Sequence, residues 1–191
     1  MPDSSLAYAP AAFYSRDVLT VARDLIGMTL LVDGVGGVIV ETEAYDRDDP
    51  ASHTYRGPTP RNAVMFGPPG HIYIYLSYGM HWCANIVSGE PGRASAVLLR
   101  ALEPVAGLER MAQRRGLANP ALFCSGPGRL CQALGLTGSQ NGLALTQPPF
   151  ELLRRAHEPP IASGVRIGIS KAVERPWRFG WNGSKFLSKK F

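Results

Sequence analysis

From His71 to Val87 the chain reads H-I-Y-I-Y-L-S-Y-G-M-H-W-C-A-N-I-V, two strand-like runs on either side of Tyr78-Gly79-Met80. Successive strand residues point to opposite faces, so two such runs joined by a short glycine-bearing turn predict an antiparallel hairpin. With Tyr78, Gly79 and Met80 in the turn, Ser77 faces His81, Tyr75 faces Cys83 and Tyr73 faces Asn85. Tyr75 and Asn85 become diagonal neighbours on one side of the sheet, a surface that can stack on a flat ring and test its edge by hydrogen bonding. Tyr73 reads as a core residue. Tyr78, at the tip, is free to wedge into a stack of bases.

Met28 to Val32 and Val35 to Tyr45 read as strands around a tight turn at Asp33-Gly34, the second ending V-I-V-E-T-E-A-Y from Val38. Strict alternation sends Ile39, Glu41, Glu43 and Tyr45 one way and Val38, Val40, Thr42 and Ala44 the other, the second set facing the core. A helix capped by Ser15 or Asp17 and closed by Gly27 precedes these strands. Ala94–Leu102 is an apolar run suited to a buried strand, Pro104–Arg115 and Pro127–Leu134 read as helices, and Val165–Ile169 as a returning strand. Together these predict a mixed or antiparallel sheet with helices. Pro50–Gly70 is too long for a simple connection and reads as a functional loop. No repeat and no linker interrupts the 191 residues, which suggests one domain.

A formal charge of +5 and a pI near 9.3 favour anionic partners such as nucleic acid. Sixteen of the 20 basic residues are arginine, whose planar fork suits phosphate. Cys83, Cys124 and Cys131 are an odd count without metal-ligand spacing, so they read as reduced thiols, with no metal and no cofactor implied. No run reaches the ~18 apolar residues of a membrane span. The start, M-P-D-S-S-L-A-Y, lacks the features of a signal peptide, and the expected location is the cytoplasm, at the nucleoid in a bacterium or in the nucleus of a eukaryote.

Several side chains can carry chemistry. A carboxylate of the Glu41/Glu43 pair set among aromatics suits general-base work, against the alternative of structural ion pairs. Arg100 interrupts the apolar run V-L-L-R-A-L and needs either an acid, such as Glu103, or a phosphate. His53 lies in the polar loop, where it either stacks or is solvated. T-P-R-N, with Arg61, and C-S-G-P-G-R, leading into a helix N-terminus, are candidate phosphate-backbone loops.

At V-E-T-E-A-Y, T-P-R-N, Y-I-Y-L-S-Y-G-M, L-L-R-A-L-E-P and C-S-G-P-G-R-L-C-Q-A-L the chain closely resembles the alkyladenine (3-methyladenine) DNA glycosylases of the mammalian type. The match runs from about Met28 to the C-terminus. The resemblance implies a compact α+β domain with a curved antiparallel sheet, surrounding helices and a protruding hairpin, acting on damaged purines in double-stranded DNA as a monomer. By the same resemblance, Glu43 and not Glu41 is the general base. Tyr45, His53 and Tyr75 wall the flipped base, Asn85 guards against the amino group of guanine, and the backbone around Ile167 meets the base edge. Tyr78 fills the vacated stack, and Arg100 contacts phosphate. The spacing from Tyr45 to His53 is one residue shorter than in mammalian members.

A monofunctional glycosylase that hydrolyses the N-glycosidic bond is therefore the leading expectation. All four lysines lie in the C-terminal part, away from these strings, which argues against a Schiff-base lyase. A catalytically silent binder of damaged DNA or structured RNA is the alternative, and it would have no use for Glu43. A nucleoside hydrolase would have no use for Tyr78.

Overall fold

The structure, a computed structural model, describes residues 9–191; the expectation about a signal peptide falls on residues 1–8 and so lies outside the described residues. After a single helical turn, α1 (Ala11–Tyr14), Asp17 caps α2 (Val18–Asp24) by accepting the backbone N–H groups of Leu19 and Thr20. The strands β1 (Thr29–Val32) and β2 (Val35–Tyr45) follow, then the hairpin β3 (Ile72–Ser77) and β4 (His81–Ser88), and β5 (Ser95–Ala106). Helices α3 (Leu108–Arg115) and α4 (Pro127–Leu134) precede three short strands, β6 (Phe150–Leu153), β7 (Ile161–Gly164) and β8 (Arg178–Trp181).

All strands pair antiparallel in the order β3-β4-β5-β2-β1-β6. One edge of the long β2 is shared: β1 takes Val35–Val38, and β8, itself paired with β7, takes Glu41–Glu43. The hairpin register is the expected one, with Ser77 opposite His81, Tyr75 opposite Cys83 and Tyr73 opposite Asn85.

Irregularities in the ladder bend β2 and β5 into a curved sheet. At Gly36 and Gly37 the neighbouring backbone leaves no room for a side chain: a Cβ would lie 1.9 Å from the carbonyl oxygens of Leu30 and Glu103. Further along, the ladder passes over Val40 on β2 and Arg100 on β5, so both strands lose their alternation together. That corrects the predicted facing of β2. Ile39 joins Ala44, Leu99 and Leu102 in the main apolar cluster instead of sharing a face with the glutamates, and Val40, though buried, lies outside that cluster.

Helix α2 packs on β2, where the Thr42 hydroxyl donates to the Ala22 carbonyl at 2.9 Å, and α4 packs on β4 and β5. Ile72 and Ile74 of β3, Ala84 and Ile86 of β4, and Val97 and Leu99 of β5 face this layer. The residues between them point to the other face, where the candidate site lies.

Two element assignments differ from expectation. Pro104 lies in β5 opposite Gly37, at a ladder irregularity that tolerates its missing N–H, and the helix starts only after Gly107, whose φ is +70°. Val165–Ile169 forms no strand, because its polar groups are used elsewhere: Arg166 turns inward to Asp49 and the Ile167 N–H goes to Glu43.

Candidate active site

The ladder aligns one row of side chains across four strands. Glu43 on β2 faces Leu98 on β5, Leu98 faces Asn85 on β4, and Asn85 faces Tyr73 on β3, while Arg178 of β8 flanks Glu43 on its other side. Leu98, Asn85 and Tyr73 of this row line a cleft of about 860 Å³ together with Tyr45, His53, Tyr75, Arg100 and Ile167, and Glu43 lies behind that lining, in contact with Tyr45, Arg100 and Ile167. Six of the residues expected at the base pocket or backbone therefore converge here, with Arg61 and Tyr78 at the same cleft.

Glu43 is fully buried. One oxygen, Oε1, accepts the Ile167 N–H at 2.8 Å and lies 3.3 Å from Arg100 Nη1, and the other, Oε2, accepts the Tyr45 hydroxyl at 2.8 Å. Burial, then the neighbouring Glu43 carboxylate and the bond to it, push the Tyr45 phenol far above its ordinary range, so it stays a donor. Of the two alternatives for Arg100, the structure shows acid pairing: its guanidinium is held inside the protein by Glu41 and Glu43, not by Glu103. The phosphate contact implied by resemblance would have to compete with both carboxylates. The Ile167 N–H, expected at the base edge, is engaged by Glu43.

The opposite wall is His53, Tyr73 and Tyr75. His53 meets the Tyr75 ring edge-on at 4.5 Å, and Tyr75 is stacked on Tyr73 at 5.5 Å. Tyr73, read from sequence as core, is buried in a small core cluster with Met65, Val87 and Ala96, and its hydroxyl and His53 Nδ1 are hydrogen-bonded at 3.1 Å. Burial, with Arg61 adding to it, holds the His53 pKa below its ordinary value, which keeps the ring neutral near pH 7. Asn85 Nδ2 donates to the Tyr73 carbonyl across the hairpin at 3.1 Å, fixing its amide in place. Arg61 reaches the Leu76 carbonyl at 3.2 Å and lies 5.2 Å above the Tyr75 ring.

Several supporting residues escaped the sequence reading. Asn62 of T-P-R-N is buried and donates to the carbonyls of His53 and Gly57, so that motif holds the His53 loop. Behind Tyr45, the fully buried Arg166 lies 4.6 Å from the ring and pairs with both oxygens of Asp49. Lys171 lines the cleft, which corrects the expectation that all four lysines lie away from the site: the separation holds along the sequence but not in space. None of these had a local signal beyond the polar residues themselves.

At the tip of the hairpin Tyr78 is 88% exposed, with φ at +50°, and Met80 is 70% exposed. Cys83, Cys124 and Cys131 are free and buried, and burial pushes the Cys124 thiol up to about 12. Among the described residues, no group of three metal-ligating side chains is placed to hold an ion, and no helix is long and apolar enough to cross a membrane.

A buried carboxylate behind an aromatic cleft, beside an exposed aromatic tip on a basic chain, is an arrangement suited to holding a flat ring. The family model described as methylpurine-DNA glycosylase matches residues 12–185, and the chain belongs to that family. Among its relatives are proteins of Nitrobacter winogradskyi, 59% identical over 94% of this chain and 86% of theirs, and Rhodopseudomonas palustris strain BisB18, 61% identical over 94% and 90%. A protein of Nitrosospira multiformis is 57% identical over 95% of this chain and 94% of its own. All three carry the provisional name 3-methyladenine DNA glycosylase. The protein is thus a DNA glycosylase of the 3-methyladenine type, and the relatives named here are bacterial.

Proposed function

We propose that this glycosylase acts as a monomer on duplex DNA at the nucleoid, flips alkylated or deaminated purines into the cleft and hydrolyses their N-glycosidic bond with a water activated by Glu43. The observation that carries this reading is the buried Glu43 carboxylate beneath the aromatic walls, oriented by the Ile167 N–H and the Tyr45 hydroxyl.

In this mechanism Glu43 takes a proton from water as the water oxygen bonds to C1′ of the deoxyribose. The C1′–N bond breaks and its electron pair leaves with the purine. A cationic methylated purine such as 3-methyladenine or 7-methylguanine is already a good leaving group, and electron-rich ring faces attract it. Ethenoadenine and hypoxanthine, which are neutral, must in addition take up a proton as they leave, and they depend more on stacking, worth ~1–3 kcal/mol per base, and on edge contacts such as Asn85. The neutral His53 suits both kinds of base, because it adds no positive charge to the wall. Tyr78 would fill the gap left in the duplex, and Arg61 would meet the backbone at the cleft mouth. Chemistry of this kind needs no lysine nucleophile.

The test is single-turnover base release from duplexes carrying each lesion, with chelator present and Glu43→Gln as control. Wild type is expected to release the bases, and the variant to be slower by about 10²–10⁴-fold while still binding lesion DNA. Undiminished release by the variant would overturn the role of Glu43.

A further inference from the structure

Glu41 has a different environment from Glu43. It is fully buried, and its Oε1 accepts from Arg100 Nε at 3.2 Å, Arg178 Nη1 at 3.1 Å and the Ser188 hydroxyl at 2.9 Å. Its Oε2 accepts the Ser188 N–H at 2.6 Å. Arg178 in turn donates to the carbonyls of Lys189 and Lys190, and its guanidinium lies 3.8 Å from the Phe191 ring centroid. Phe191 occupies a floor made by Gly164 and Gly180; a Cβ on Gly180 would lie 2.3 Å from its ring. The last residues of the chain are therefore docked against the rear of the site, outside the 12–185 span of the family match.

We infer that Glu41 is a positioning residue for base excision, and that the segment from Leu187 to Phe191 is the brace that fixes it. The inference rests on the proposed role of Glu43. Buried ion networks are seldom the cheapest way to stabilise a fold, since well-packed apolar side chains of the same volume often do as well. This network does something apolar packing cannot: it sets the orientation of one guanidinium. By engaging Arg100 at Nε, Glu41 leaves Nη1 to approach a single oxygen of Glu43. Without that hold, the planar fork of Arg100 is free to turn and grip Glu43 with two parallel bonds, its preferred carboxylate geometry. Glu43 would then lose the lone pair with which it takes a proton from water. Ser188, with both its N–H and its hydroxyl on Glu41 and its oxygen 3.3–3.4 Å from Arg100, fixes the pair from behind.

The test uses the full-length protein with Glu41→Gln, Ser188→Ala and the double variant, each checked for folding by thermal denaturation. Glu41→Gln is expected to slow single-turnover excision about a hundredfold, the scale of a small misplacement of catalytic groups. Its affinity for lesion duplex should stay within about threefold of wild type, because the cleft walls are untouched. Ser188→Ala, which removes the hydroxyl's bond to Glu41 and the two longer ones it accepts from Arg100, is expected to be about tenfold slower. Since Ser188 acts by fixing the Glu41–Arg100 pair that Glu41→Gln already breaks, adding Ser188→Ala to Glu41→Gln should slow the reaction less than about threefold further. Wild-type rates in the single variants, parallel losses of rate and affinity, or full additivity in the double variant would each overturn the inference. If Glu41→Gln fails to fold, a wild-type rate in Ser188→Ala still does so. Failure of this inference is separable from failure of the Glu43 reading, because Glu43→Gln would remain inactive in the first case and active in the second.

Discussion

The floor of the cleft and the tip of the hairpin are built from the same two strands, yet they differ in nearly every physical respect. At the floor, Tyr73 and Asn85 are buried, joined to each other by a hydrogen bond, and Tyr73 is tied to His53. At the tip, Tyr78 and Met80 face solvent, and Tyr78 holds a left-handed backbone that costs a non-glycine residue roughly 1–2 kcal/mol. Recognition that must distinguish one purine from another needs fixed atoms, and the interior of the sheet supplies them. Recognition that must enter a partner needs reach, and only an unencumbered turn supplies it. A hairpin serves both because its register is rigid whereas its end is not packed against anything.

Three perturbations bear on this contrast. The largest effect is expected from Asp49→Ala, which strips the buried Arg166 of its paired acid behind Tyr45. Leaving such a charge uncompensated costs about 3–5 kcal/mol, so denaturant unfolding should show a loss of that size together with weaker lesion binding. Tyr78→Ala is expected to do the opposite kind of damage. Its unfolding free energy should match wild type, while affinity for lesion duplex falls by the ~1–3 kcal/mol of a lost stacking contact, as measured by titration against a labelled duplex. If both variants lost stability equally, the division between floor and tip would be wrong.

The smallest effect concerns His53. Its folded pKa is lowered below 6.5 by burial, so between the two values the unfolded chain binds more protons than the folded one. The associated stability is fully present above pH 6.5 and is lost as pH falls through that value toward the folded pKa. The melting temperature should therefore fall more steeply from pH 7.5 to 5 in wild type than in His53→Gln. Parallel curves would show that the histidine is not held neutral by its site.

Local pattern carried the hairpin and its register, because alternation and a glycine turn are both contained in seventeen residues. It also placed Glu43 beside Tyr45 on one strand and Tyr75 beside Asn85 in the hairpin, but that the two pairs meet in one site was implied only by the family resemblance, because the pairing of β5 between them had no local signal. What it could not carry were contacts between distant segments. Asp49 and Arg166 are 117 residues apart, and Glu41 and Ser188 are 147 apart. Neither pair has any periodicity to announce it. The same holds for Lys171, which sequence distance removed from the site and folding returned to it. Arg100 was legible as a buried charge in need of a partner but not as the member of a ladder irregularity that sets it between two acids.

That irregularity also governs how the sheet can change length. Because β2 and β5 slip together between Ile39 and Thr42, the two halves of each strand are in phase with their common partner only while both slips persist. Removing Val40 alone, or Arg100 alone, would leave one half of the sheet turned inside out, with either Ile39 or the Glu43 carboxylate on the wrong side. Insertions and deletions in descendants of this chain should therefore accumulate at its loops and spare the middle of β2 and β5, whatever happens to the identities of the residues there.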